Sequence, residues 1–233
     1  MNATKGTNRL ILDDMRWYLM IFSSITLMLT VVYLAIGFIF DVSYTTQLFG
    51  PMYGGICAVA IAGIITLFPV AIGMGSTRIQ FMKSFYNISV WMVVGTITIL
   101  NVIYFIMHLL HEYGTLGVTF YQPGMLYSSE YHFFSYLWLD LMIGFLVLGL
   151  SIFSTVCWIR LGMRNFFVLF FGVSLIVTLV IVLSDLSVWF QWFTNVNLIA
   201  LFTALGVIGG ALLLSTYPMM KNAPLTMKGR KDG

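Results

Sequence analysis

Charge is scarce in this 233-residue chain. Asp, Glu, Lys and Arg together make up 8% of it, against 60% hydrophobic residues. With a strongly positive mean hydropathy, no soluble domain of this length is compatible with such a ratio, and an integral membrane protein is implied. There are two cysteines, Cys57 and Cys157. Both fall inside apolar runs, which excludes a disulfide framework or a zinc pattern and leaves them as packing residues. The chain has no GxxxxGK(S/T) phosphate loop, so it does not bind ATP in the P-loop manner. It has no HExxH either: HLLHE, from His108 to Glu112, puts the glutamate on the wrong side of its histidines. A GxSxG nucleophile elbow is also missing, and no pair of polar catalytic groups sits at matching depth in two spans, which argues against intramembrane proteolysis. The formal charge of +3 is not a nucleic-acid signal, because the basic residues lie in small clusters between apolar runs and do not interleave with stacking aromatics.

What is present is a series of apolar runs, each about twenty residues or longer. At about 1.5 Å per residue this is enough to cross roughly 30 Å of hydrocarbon as a helix, and the alternation of a membrane barrel is absent. The expected fold is an all-α membrane protein, a single transmembrane domain over residues 1–233. Residues 1–16 are polar, with Leu10, Ile11 and Met15 on one helix face, and read as an interfacial amphipathic helix. Six spans follow, at about 17–40, 52–72, 86–110, 134–159, 166–186 and 196–217, and residues 218–233 form a basic tail. The first run is too long for a signal-peptide core and no small-residue cleavage site follows it, so it is expected to remain as an anchor. Pro69 should kink or loosen the inner end of the second span.

The basic residues test this topology. With the N-terminus cytoplasmic, the inner segments hold Lys5, Arg9, Arg16, Arg78, Lys83, Arg160, Arg164, Lys221, Lys228, Arg230 and Lys231, which are all eleven lysines and arginines. The three outer segments hold none. The positive-inside rule therefore gives six spans with both termini cytoplasmic.

Between the second and third spans lies a polar island, residues 73–84, GMGSTRIQFMKS. Gly73 and Gly75 punctuate the end of one run. Thr77 with Gln80 three residues later fits a capping box opening a short cytoplasmic helix, on which Arg78, Phe81 and Lys83 combine charge with one exposed aromatic. The island reads either as a plain topogenic loop or as a docking surface. At the outer mouth, His108, His111, Glu112, Glu130 and His132 have the ligand types for a divalent ion if the loop folds back to join 108 with 132, and otherwise keep the loop solvated. Asp140 and Asp185 are carboxylates within spans, functional candidates by default, although both lie near the outer interface, where the cost of a charge falls. Gly206 and Gly210 form a GxxxG pair suited to close helix packing.

The segment TLFPVAIGMGSTRIQFMKSFY, residues 66–86, resembles the small permease subunits of ABC-2 type exporters, in particular the compact ones of Gram-positive bacteria. In that family a proline-containing second helix is followed by a G-(x)-S-R-x-x-F turn. Here the turn is GSTRIQF, with Thr77 as one extra residue. The segment Lys221 to Pro224, KNAP, looks like the family's R-R-A-P ending. The resemblance implies that Ser76, Thr77, Arg78, Gln80, Phe81 and Lys83 form a coupling helix seated in a separate ABC-type ATP-binding subunit. That subunit binds ATP and Mg, leaving this chain without a cofactor or an enzymatic activity of its own. It also implies a second permease subunit, identical or a sister, and re-entrant pieces between the fifth and sixth spans, where Asp185, Trp189 and Trp192 lie. With Asp140, these three are the candidates for a pathway or gate.

Three functions follow as expectations. The first is export of an amphiphilic peptide, antibiotic or lipid-like molecule across the plasma membrane, with membrane lipid as surroundings. The second is a non-transporting scaffold or sensor whose basic termini recruit a soluble partner. The third is a metal-ion or proton-coupled carrier using Asp140 and the outer histidines.

Overall fold

The computed structural model describes residues 3–40, 44–113, 118–128, 130–184 and 196–221. Among them are six helices long and apolar enough to cross a membrane, the architecture of a multi-pass membrane protein. Helix α1 covers Ala3–Phe40, and the second span is built from α2, Gly50–Ala62, a π-helical stretch, Gly63–Leu67, and α3, Phe68–Gly73. Then come α4, Arg78–Glu112, α5, Phe133–Leu161, α6, Met163–Leu183, and α7, Leu198–Lys221.

The π stretch shows what Pro69 does. A proline in a helix lacks its N–H and clashes with the carbonyl four residues back. Widening the preceding turn relieves that crowding, and Phe68 N–H closes on Gly63 O, five residues back. Gly63 has a second reason to be glycine, since a Cβ there would lie 2.1 Å from the Phe85 ring of α4. The expected loosening is thus a bulge that lets α4 approach closely.

Three expectations need correction. The interfacial helix at residues 1–16 is not a separate element, because α1 runs unbroken from Ala3 to Phe40. No proline interrupts it, and extending a helix is easier than ending and restarting one. Its apolar face is satisfied inside the protein, where Ile11 and Met15 are buried in the main core. The short coupling helix is likewise the first turn of α4, continuous through Glu112. Phe81 is not exposed: it is buried against Phe68 and Phe85, with ring centroids 5.5 and 5.6 Å away.

The helical bundle also carries a small cap at one end, a two-stranded pairing that the sequence reading did not anticipate. Strand β1, Tyr44–Gln47, follows α1, and β2, Val118–Tyr121, follows α4. The two pair in parallel, with Thr45 opposite Thr119. This places the segments after the first and third spans at the same end of the bundle, where the basic-residue pattern also puts them. Beneath the cap, Leu48, Phe49, Met52, Leu100, Tyr104, Val118, Phe120 and Tyr136 form a second core.

Helices α5 and α7 pack through glycines, with a different partner set from the expected pair. Gly206 meets Met142, and Gly209 lies against the backbone of Phe145 and Leu146, whereas nothing lies within 4 Å of a Cβ placed on Gly210. Helix α6 buries none of its residues within this chain. Asp185, Trp189, Trp192 and the tail from residue 222 lie outside the described residues.

Candidate functional site: a helix-end clasp and a covered carboxylate

The polar island closes one helix and opens the next in four residues. Gly75 adopts φ +87°, a left-handed conformation that favours glycine, so that Ser76 N–H reaches Ala71 O and Gly75 N–H reaches Ile72 O. This pairing caps the carbonyls at the end of α3. Thr77, the extra residue of the turn, is the N-cap of α4, its Oγ1 accepting from Gln80 N–H at 3.2 Å.

Both ends of the described chain hold this turn. Thr7 Oγ1 donates to Ser76 Oγ at 3.1 Å in a buried contact. On the other side Arg78 Nη1 donates to the carbonyl of Lys221 at 3.3 Å, where the last carbonyls of α7 carry the negative end of the helix dipole. About two turns further on, Tyr86 and Thr216 share a hydroxyl hydrogen bond that again ties α4 to α7. The exposed surface left on the island is Gly73, Met74, Gly75, Thr77, Ile79 and Lys83. Of the six residues expected to couple, Ser76 and Phe81 are therefore inward anchors, Thr77 caps α4, and Lys83 faces outward.

At the opposite end Asp140 is fully buried. It lies two helical turns into α5 and beneath the cap, covered by protein. Three elements supply its partners. Gln122 Nε2, just after β2, donates to Oδ2 at 2.6 Å, and Asn101 Nδ2 of α4 donates to the same oxygen at 2.9 Å. Tyr53 of α2 directs its hydroxyl at Oδ1 from 3.4 Å. Gln122 also donates to Asn101 Oδ1 at 2.7 Å, and Asn101 to Ile97 O at 3.0 Å, which closes the network. Among the described residues no lysine or arginine pairs with Asp140. A carboxyl group held this way by neutral donors can take up or release a proton without breaking an ion pair.

Local chemistry places Gln122. It precedes Pro123, which biases it to extended backbone, and it has φ −129° and ψ 142°. The 3₁₀ turn Pro123–Leu126 then sits on α5: a Cβ on Gly124 would lie 2.4 Å from the Tyr136 ring, and Tyr136 Oη donates to Ser128 O at 2.7 Å. Burial pushes the nearby Tyr131 phenol up to about 12, with Tyr136 and Asp140 adding to the effect, so it places no second anion beside Asp140 at neutral pH.

Sequence reasoning found Asp140 and missed Asn101, Gln122 and Tyr53. Asn101 left a readable signal, being an amide in the middle of an apolar run. The outer histidines are not gathered into a site. His108 packs on the Tyr131 ring with centroids 4.6 Å apart, and exposed His132 lies 3.9 Å from Glu130. Among the described residues no three His, Cys, Asp or Glu side chains converge to hold a metal ion.

Compared with protein-family models, curated proteins and solved structures, the chain finds no match in any of the three.

Proposed function

We propose that this chain is the permease subunit of an ATP-driven exporter of ABC-2 type, moving an amphiphilic peptide, antibiotic or lipid-like molecule across the plasma membrane. A separate ABC-type subunit hydrolyses ATP, and a second permease subunit, identical or a sister, completes the pathway. The eleven basic residues support cytoplasmic termini, which puts the island on the side where ATP is available.

The helix-end clasp is the observation that carries this reading. The island is tied to α1 through Thr7, to α7 through Lys221 and to the main core through Phe81. A push on exposed Met74 and Lys83 is therefore delivered to several helices together instead of being absorbed by a loose loop. Closure of the ATP-binding partner would bias the bundle between two packed arrangements, a population shift driven from outside the membrane. Phe81 belongs to the transmission and not to the docking face.

The test is to purify the tagged chain from its native membranes, identify captured P-loop ATPases and measure how the chain stimulates their activity. A captured ATPase that is stimulated by the chain, with stimulation lost in Met74→Glu and Lys83→Glu, supports the reading. Stimulation unchanged in both variants, or no captured ATPase, overturns it. A proton-coupled carrier is the second reading, favoured by the burial of Asp140 without a basic partner. It requires transport on a proton gradient alone, abolished in Asp140→Asn.

A further inference from the structure

The bundle leaves a groove open between α1 and α4. Helix α1 leans on α2, where the Phe22 ring packs on Gly54 and Gly55. Its neighbouring stripe, Leu19, Ser23, Thr26, Thr30 and Leu34, therefore faces a gap. These residues follow helical spacing, and α4 presents a matching stripe of Thr96, Ile99, Ile103 and Met107, continued toward the inner end by Met92. The outer cavity measures about 480 Å³ and adjoins an inner one of about 380 Å³, the two sharing Leu19 and Ser23. Each is the size of a pocket that takes a small molecule.

The walls favour hydrocarbon over water. Thr26 Oγ1 donates to Phe22 O at 2.8 Å, Thr30 Oγ1 to Thr26 O at 2.7 Å, and Thr96 Oγ1 to Met92 O at 2.7 Å. With these hydroxyls bonded to their own helices, the groove offers little to an ordered water, which needs two to four polar partners. Its inner end is different, because Arg16 lines it and is exposed. Among the described residues Arg16 forms no ion pair, and the nearby Asp13 is already matched by Arg9 at 3.7 Å, leaving Asp14 as the other acid of this turn. A cation at the inner interface above an apolar channel complements a phosphate with a fatty tail. From Arg16, a chain of about 15 Å, one leaflet deep, ends near Thr26, at the lower part of the outer cavity.

We propose that this groove binds an anionic membrane phospholipid from the inner leaflet, its phosphate at Arg16 and an acyl chain running past Leu19 and Ser23 between α1 and α4. The proposal rests on the helices spanning a membrane with Arg16 at the inner face, and it is independent of any ATPase partner.

The test is native mass spectrometry of the full chain in detergent, loaded with an equal mixture of phosphatidylglycerol and phosphatidylcholine carrying identical chains. The wild type is expected to retain phosphatidylglycerol about fivefold over phosphatidylcholine, the effect of one basic residue at an anionic interface. Arg16→Gln should bring the two lipids to equal retention, while Lys83→Gln leaves the preference intact. Ser23→Phe, which fills the point the cavities share, should lose the retained lipid altogether. Equal retention by the wild type overturns the proposal, as does a preference that survives Arg16→Gln or a lipid that survives Ser23→Phe. Because Arg16 is exposed, its variant decides the matter even if Ser23→Phe does not fold.

Discussion

Gln122 and Asp140 stand 18 residues apart in sequence and 2.6 Å apart in space, the amide of a cap residue donating to a fully buried carboxylate in the fourth span. Through this contact the cap is bonded to the helix bundle as well as resting on it. Asn101 completes the link to α4 and Tyr53 the link to α2, so four separate parts of the chain meet at one carboxyl group.

Removing that acceptor should loosen the cap. In Asp140→Leu the Gln122 amide loses a buried partner, at an expected cost of about 1–3 kcal/mol. Asp140→Asn keeps an oxygen facing Gln122 and Asn101 and an NH₂ facing the Tyr53 oxygen, and should cost less than about 1 kcal/mol. Thermal unfolding in micelles gives the ranking. Hydrogen exchange at Val118–Tyr121, raised in Asp140→Leu and near wild type in Asp140→Asn, locates the effect at the cap.

At the π bulge, Gly63→Ala places a methyl group 2.1 Å from the Phe85 ring, inside any permissible contact. Overpacking of this kind costs about 1–3 kcal/mol. Trimming the ring in Gly63→Ala/Phe85→Leu should recover part of that loss, whereas a cut at exposed Phe105 should recover none. A double-mutant cycle on unfolding midpoints measures the coupling.

The α5–α7 contact discriminates between adjacent glycines. Gly209→Ala drives a Cβ into the backbone of Phe145 and Leu146 and should destabilise the protein, while Gly210→Ala meets nothing within 4 Å and should be neutral. Gel filtration after stepwise heating separates the two. Equal sensitivity at both positions would contradict the packing described.

The island turn depends on two residues with different duties. Thr77→Ala removes the oxygen that caps α4 and should cost about 1 kcal/mol, restored by Thr77→Ser or Thr77→Asp. Gly75→Ala forces a side chain into the left-handed region and should cost about 1 kcal/mol as well, with partial rescue only by Asn or Asp. Unfolding midpoints of these variants give both values.

Several of these features were legible in the residues alone. Six apolar runs became six helices, Pro69 marked the loosened second span, and Thr77 with Gln80 marked the start of α4. Hydropathy, charge placement and capping are local properties, each carried by a few consecutive residues. A helix start could be read, but not whether the helix stops again after one turn, and so α4 continues where a short helix was expected.

By itself the sequence determined the number of spans, the common end of the basic segments and the position of the polar island, because each follows from the free energy of transferring short segments between water and hydrocarbon. The tertiary structure decided which way residues face. Successive side chains turn by about 100° around a helix, so the inward direction depends on where the neighbouring helices lie. Only that arrangement turns Phe81 into the core, selects Gly209 over Gly210, and assembles Tyr53, Asn101 and Gln122 around Asp140 from segments whose separation in the chain carries no record of their meeting.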